Sequence, residues 1–252
     1  MHRLVAAAIS VALLVTATSA ARAAACAFET QDEGHVADII DARSFRLSDG
    51  REIRLAGIEL IAAGDKGSVL AALIKDKDVS LHGDDTPDRY GRQTAFAFLA
   101  GSDVSVQAQL LAQGAALASP DVADRDCAAA LLAAETDART AKKGTWATSN
   151  VIKNAESADD ILAGIGRFML VEGRVLSVRQ AGTMTYLNFG RSWTRDFAAT
   201  ISRRMMPSVE SNGLTLKSLE NRRIRVRGWV EAHPGPRIEV VRAGQIEVLS
   251  GK

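Results

Sequence analysis

The sequence predicts a mainly β protein made of two small barrels in series, the first carrying flanking helices. Three observations carry that prediction. Short runs that alternate or are β-branched recur along most of the chain, separated by Gly, Pro, Asn and Asp turn signals. The longer stretches with helical spacing all lie before Gly144. A polar connector, Thr148–Gly164, divides an acidic segment from a basic one. Residues 26–162 carry 14 Lys+Arg against 23 Asp+Glu, a balance of −9, and residues 163–252 carry 15 against 7, a balance of +8. Opposite balances imply that the halves attract each other, or that the second meets something anionic. The net charge of +1 over 252 residues points to no partner by itself.

Residues 1–25 read as a secretory signal peptide rather than as fold. Arg3 supplies a basic start, Leu4 to Val15 an apolar core, and Ala17–Ala25 several small-residue cleavage sites. The apolar run is too short to span a bilayer, and no later run approaches eighteen apolar residues. The expected location is therefore outside the cytoplasm, periplasmic or secreted. The two cysteines, Cys26 and Cys127, allow one disulfide, which in an exported chain would close a loop of about a hundred residues worth about 4–5 kcal/mol. Two alternatives stand beside it. Ala23-Ala24-Ala25-Cys26 could be a lipoprotein cleavage box with Cys26 lipidated, although Ala rather than Leu stands three residues before the Cys. The thiols could also remain unpaired.

The first domain is expected over 26–148. Gly34–Ile40 and Ser44–Leu47 read as strands, and Glu52–Leu55 returns after a Ser48-Asp49-Gly50-Arg51 turn, where glycine supplies the positive φ that a tight hairpin needs. Ala62–Lys75 has helical spacing through Val69, Leu70, Leu73 and Ile74, with Asp65 as its expected cap. Val79–His82 and Gln93–Leu99 complete five strands. Ser105–Gln113 is a helix ended by Gly114, and Val122–Lys143 a longer one ended by Gly144, with Cys127, Leu131, Ala134 and Ala138 near one face. Five short strands with a helix after the third and others at the end describe an OB-type barrel.

A linker is expected over 149–164 and a second domain over 165–252. Phe168–Val178, Thr183–Phe189, Phe197–Ile201, Arg223–Val230 and Arg237–Val241 read as strands, Leu214–Leu219 as one helical turn, and Pro234-Gly235-Pro236 as a turn. Five strands in about ninety residues again suggest a small, possibly OB-like, barrel. Arg54-Leu-Ala-Gly-Ile and Arg225-Val-Arg-Gly-Trp form a faint internal echo, each a strand ending in Gly and a large apolar residue.

Several motifs of the first domain occur in combination: Val-x-x-x-x-Asp at 36–41, Leu-x-Asp-Gly at 47–50, Ile-Arg-Leu-x-Gly-Ile at 53–58, Asp-Arg-Tyr-Gly-Arg at 88–92, Gln113-Gly114, and Gly144-Thr-Trp146. Together they resemble the staphylococcal nuclease (thermonuclease) family over about residues 33–147. The second half resembles a barrel domain appended to some bacterial members. The resemblance implies a phosphodiester-hydrolysing site. In it, acidic side chains and a carbonyl hold calcium, a Glu acts as general base, and two arginines hold the phosphate.

Carried over residue by residue, the frame survives while the metal chemistry does not. Arg54 and Arg92 fall on the two phosphate-binding arginines. Asp41 matches an acidic residue that does not bind the metal directly. Arg43 stands where the first calcium carboxylate belongs, Glu59 replaces the second with one more methylene, and Leu60-Ile61-Ala62 replaces the segment that carries the general base. A unit charge pair at about 4 Å and an effective dielectric near 20 is worth about 4 kcal/mol. Replacing a metal-binding carboxylate by a guanidinium therefore changes the site by over about 10 kcal/mol, whereas a millimolar calcium site holds only about 4 kcal/mol. Loss of the base removes a further factor of about 10²–10⁴. No cofactor is expected, and the residual acidic positions for any metal are Asp41 and Glu59. His2, His35, His82 and His233 have no metal-ligand spacing, so no zinc site is expected.

The expected arrangement has Arg43 supplying positive charge and pairing with Glu59 or Asp41, which leaves Arg54 and Arg92 facing outward beside Tyr90 as a phosphodiester-binding pocket. The plainer alternative spends Arg54 and Arg92 on ion pairs with Asp88, Glu59 and their neighbours. In the second half, Tyr186 and Trp193 are candidate ligand contacts, with Leu187 and Phe189 directed inward by strand alternation. Arg223, Arg225 and Arg227 share one strand face, as a solvated surface or a phosphate track would. Three functional readings result: a degenerate nuclease domain that binds nucleic acid or another anionic ligand, a working nuclease with an altered metal site, and a non-catalytic envelope protein with protein partners.

Overall fold

The computed structural model describes residues 26, 28–61, 66–83, 86–148, 150–210, 213 and 215–249. The expected signal peptide, the Asp65 cap, Ala62 and Leu214 lie outside the described residues. In chain order the strands and helices of the first half are β1 (Thr30–Asp41), β2 (Ser44–Leu47), β3 (Glu52–Leu55), β4 (Ile58–Glu59), α1 (Ser68–Ile74), β5 (Asp78–Gly83), β6 (Arg92–Leu99), α2 (Val106–Ala112), β7 (Leu117–Ala118) and α3 (Arg125–Thr140). Strands β1-β2-β3-β6-β5 form a closed barrel, with β3 and β6 parallel and the other neighbours antiparallel. This is the OB strand order.

Local chemistry explains the elements. The β2–β3 turn forms at the expected residues, with Gly50 at φ 91° and the Asp49 carboxylate accepting from the Arg51 N–H at 3.0 Å. Ser105 caps α2 by accepting from Ala108 N–H at 3.2 Å, and Asp124 caps α3 by accepting from Cys127 N–H at 2.8 Å. Gly114 follows α2 and its cap residue Gln113, as expected. By contrast, α3 spans Arg125–Thr140 rather than the expected Val122–Lys143, with Lys142 taking the left-handed conformation and Gly144 opening a short 3-10 turn. The two glycines pack back to back. A Cβ on Gly114 would lie 2.2 Å from the Lys143 carbonyl oxygen, and one on Gly144 2.3 Å from that of Gln113. Both residues also hold positive φ, so the close crossing needs glycine on each side. Along α3 the buried stripe is Cys127, Leu131, Glu135 and Ala138, with Glu135 where an apolar neighbour, Ala134, was expected. The barrel core gathers Phe45, Leu47, Ile53, Leu55, Leu81 and Leu110, all almost fully buried. Cys26 and Cys127 form the disulfide, with Cα atoms 4.7 Å apart, so Cys26 has no thiol left for the lipid considered as an alternative.

The second half continues with β8 (Ile152–Asn154), α4 (Ala158–Leu162), β9 (Phe168–Arg174), β10 (Ser177–Ala181), β11 (Met184–Asn188), β12 (Ala198–Ser202), α5 (Met206–Glu210), β13 (Arg223–His233), β14 (Gly235–Glu239) and β15 (Ile246–Val248). The stretch expected as one strand, Phe168–Val178, is two. Its break at Val175–Leu176 falls where the chain leaves β13 for β11, with Val175 N–H donating to Arg222 and Leu176 N–H to Asn188. Counting β9 and β10 as one bent first strand, the order is again first-second-third-fifth-fourth, with β12 and β14 parallel. The segment expected as a linker contributes β8, which pairs in parallel with β9. The internal echo does not mark equivalent positions: Arg54 is on a third strand and Arg225 on a fourth. No helix among the described residues is long and apolar enough to cross a membrane.

The barrels meet across a small apolar seam of Leu117, Ala138 and Trp146 against Phe168 and Leu170. Charge flanks it. Arg227, 2% exposed, donates to both carboxylate oxygens of Glu135, 0% exposed, at 2.9 and 3.0 Å, and to the Ala118 carbonyl at 3.0 Å. Arg225 bridges Glu172 and Glu247 at 2.9 and 2.7 Å, and Arg139 reaches Glu135 and Glu247. Arg223 pairs with Glu172 at 2.8 Å. The arginine row expected as a solvated face or phosphate track is thus turned inward at Arg225 and Arg227, where carboxylates of both halves compensate it.

Candidate functional site

The candidate residues of the first barrel converge on one outer region. Asp41 ends β1, and its carboxylate accepts the Arg43 N–H at 2.8 Å, shaping the two-residue connection to β2. This connection directs the Arg43 side chain inward. Its guanidinium donates to the Ile58 carbonyl at 3.0 Å and forms an ion pair with Glu59. Both partners are buried, at 7% and 5% exposure, and Glu59 is fixed by the β4–β7 pairing opposite Leu117. Burial pushes the Glu59 carboxyl above its ordinary value, opposed by the positive charges of Arg43 and Arg54. Burial likewise pulls Arg43 down, opposed by Glu59. Of the two expected partners, Glu59 takes the guanidinium and Asp41 takes only the backbone N–H.

Arg54 and Arg92 share the outer face of neighbouring parallel strands. Arg54 stands opposite Thr94, and Arg92 opposite Glu52, which makes the two arginines diagonal neighbours about 8 Å apart at Cα by sheet spacing. They differ in what holds them. Arg92 is clasped by Asp88, which accepts from its Nε and its terminal nitrogen at 3.0 and 2.8 Å. Those hydrogen bonds hold the Asp88 carboxyl down at about 2. The Arg54 side chain makes no hydrogen bond or ion pair among the described residues, and its charge is felt by Arg43 and Glu59. The plainer expectation, arginines spent on neighbouring carboxylates, therefore describes Arg92 and not Arg54. Tyr90 is 66% exposed, with the guanidinium of Arg89 at 4.8 Å and that of Arg92 at 5.0 Å from its ring centre.

The donor set does not suit calcium. Asp41 and Glu59 already accept from Arg43, and a guanidinium in direct contact with Glu59 would repel a divalent cation brought to the same carboxylate. Among the described residues no group of three or more His, Cys, Asp or Glu side chains is placed to hold a metal.

A further cleft lies elsewhere. It has a volume of about 840 Å³ on the second barrel and brings together Tyr186, Arg191 and Trp193, all from one run that mixes aromatics with arginine, with Arg179 and Arg237, which sequence reasoning did not single out. Strand pairing was the missing signal: Arg179 lies opposite Tyr186, and Arg237 opposite Ala198, which pairs with Asn188 beside it. Leu187 and Phe189 are buried, as alternation required.

With this geometry in view, comparison with known proteins gives one finding. Residues 64–148 match the family described as staphylococcal nuclease homologue. The match takes in Asp88–Arg92, α2, α3 and the Gly144–Trp146 turn, and it begins beyond Arg43, Arg54 and Glu59. No curated protein matches the chain.

Proposed function

Because the chain carries a staphylococcal nuclease-like domain, we propose that it binds a phosphodiester or similar anionic ligand across Arg54 and Arg92 with little or no calcium-dependent hydrolysis. One observation carries this reading: the buried Arg43–Glu59 pair uses the acidic group a metal would need and leaves Arg54 unclaimed beside it. Electrostatic capture needs only the surviving arginines, whereas hydrolysis also needs a metal donor set and a general base. We further propose that the protein is exported. The Cys26–Cys127 disulfide, which persists in oxidising compartments, supports that location.

The test mixes the purified mature protein with labelled single- and double-stranded DNA and RNA, in calcium, magnesium, manganese or chelator, following binding and cleavage together. Binding without metal-dependent cutting is expected, weakened about tenfold in Arg54→Ala and with a shallower salt dependence. Metal-dependent cutting that disappears in Arg54→Ala and Arg92→Ala would make the domain a working nuclease. Neither binding nor cutting would favour the envelope interaction protein. That second reading draws on the seam, where part of the charge asymmetry is consumed between the barrels themselves.

A further inference from the structure

We propose that the cleft of the second barrel is a separate binding site for single-stranded nucleic acid, independent of Arg54 and Arg92. Its walls come from the first, second and third strands of the barrel, the β11–β12 loop and the β13–β14 corner. In an OB barrel the face of the second and third strands, with the connections beside it, is where oligonucleotides and oligosaccharides lie.

The side chains choose between those ligands. On the outer face, Ser177, Asn188, Ala198 and Arg237 form one row across four strands, and Arg179 and Tyr186 begin the next. Three arginines therefore surround the space. Arg179 and Arg191 are exposed and make no side-chain hydrogen bond or ion pair among the described residues. Arg237 lies over the Tyr186 ring at 5.7 Å and donates to the His233 carbonyl, while its buried Nε–H has no partner. The only carboxylate of the lining, Asp196, is occupied by the loop that carries Arg191 and Trp193, accepting the Ser192 N–H at 2.7 Å. Three guanidinium groups against one carboxylate leave the cleft with an excess of positive charge, tempered on one side by Glu220, whose carboxyl feels Arg179.

An uncharged sugar chain would not need three arginines. A duplex would meet the charges but hide its base faces from the aromatics. Trp193 is 75% exposed, the most exposed of the large apolar side chains, and stands at the rim. A single strand supplies both phosphates for the arginines and unstacked bases for Trp193 and Tyr186. Ser177 and Asn188, hydrogen-bonded to each other at 3.2 Å, offer further polar atoms between them. The loop that makes the wall depends on Gly190, where a Cβ would lie 2.1 Å from the Asp196 carboxylate.

The test is fluorescence anisotropy with labelled oligothymidylate, its duplex with oligoadenylate, and poly-glutamate, using the full mature protein carrying Arg54→Ala and Arg92→Ala, so that the first barrel does not contribute to the signal. Oligothymidylate is expected to bind most tightly, with a log–log salt slope near about −2 for three phosphate contacts. Trp193→Ala should weaken it about tenfold and Trp193→Tyr should restore most of the loss. Arg179→Gln with Arg191→Gln should weaken it and flatten the slope by about 1.4. Because these side chains are exposed, an unchanged melting curve serves as the folding control. Binding absent from the protein carrying Arg54→Ala and Arg92→Ala, or unchanged by the cleft variants, overturns the proposal. So does equal affinity for duplex, or for poly-glutamate, which would mark a duplex surface or an acidic-protein surface.

Discussion

The two barrels share a strand order and differ in what their arginines are used for. In the first, two of the three candidate cations have been drawn onto a carboxylate, Arg43 buried on Glu59 and Arg92 clasped by Asp88, while Arg54 has no ion pair among the described residues. In the second, the arginines of β13 are spent on the seam, while Arg179 and Arg191 at the cleft make no ion pair among the described residues and stand near the exposed Trp193 and the half-buried Tyr186. The comparison teaches that net charge is a poor guide to a binding face. The +8 half contains both neutralised and free arginines, and only tertiary placement separates them.

The sharpest way to break this comparison is to disturb the seam. Arg227→Ala leaves Glu135 fully buried with only Arg139 and the Ala118 N–H, and should cost about 3–5 kcal/mol in chemical denaturation. Arg227→Met with Glu135→Gln, which keeps an acceptor for Ala118, should recover about half. If Arg227→Ala proves neutral, the barrels are not held by this pair.

A smaller effect is expected at the corresponding pair inside the first barrel. Arg43→Leu strands Glu59 and should cost about 3 kcal/mol at neutral pH, and Arg43→Leu with Glu59→Leu should return close to the parent. The sign with pH follows from burial. The Glu59 pKa is already raised in the fold, and losing Arg43 raises it further, so the variant should be most stable below the unfolded value of 4.5 and lose stability as pH rises through the folded pKa. Stability of the variant that is flat between pH 4 and 8 would contradict this assignment.

The smallest expected effect is spectroscopic. The Asp88 carboxyl should titrate near about 2 by carbon NMR, and return toward 3.8 in Arg92→Ala. Its folded pKa is depressed, so whatever stability it contributes is present above 3.8 and lost as pH falls through about 2. A midpoint near 3.8 in the parent protein would mean that Arg92 is free in solution, like Arg54.

Much of this architecture is legible in the sequence, and the losses have identifiable causes. The hairpin at Asp49-Gly50 and the helix stopped by Gly114 follow from local chemistry and stand where the residues place them, whereas α3 stops at Thr140, before the Gly144 that was expected to end it. β4, β7, β8 and β15 have two or three residues each, too few for a period to register. The break within Phe168–Val178 has no local breaker; it comes from two partners competing for one strand. At the site, Arg43 and Glu59 could be paired by charge alone, but Arg179 and Arg237 lie 58 residues apart and meet only through register. The burial of Arg225 and Arg227 was invisible for the same reason, since a strand with an arginine at every second position looks solvated until another barrel covers it.

Helix α3 joins four of these features along a single stripe. Cys127 holds the start of the described chain, Leu131 fills the first core, Glu135 receives Arg227, and Ala138 enters the seam. Their spacing of four, four and three residues keeps all four on one side of the helix. One residue inserted between Cys127 and Glu135 would rotate everything after it by about 100° and uncouple the disulfide end from the seam end. Insertions in this lineage should therefore be excluded from α3 and accommodated on the open turns, making the helix a ruler that fixes the phase of one barrel against the other.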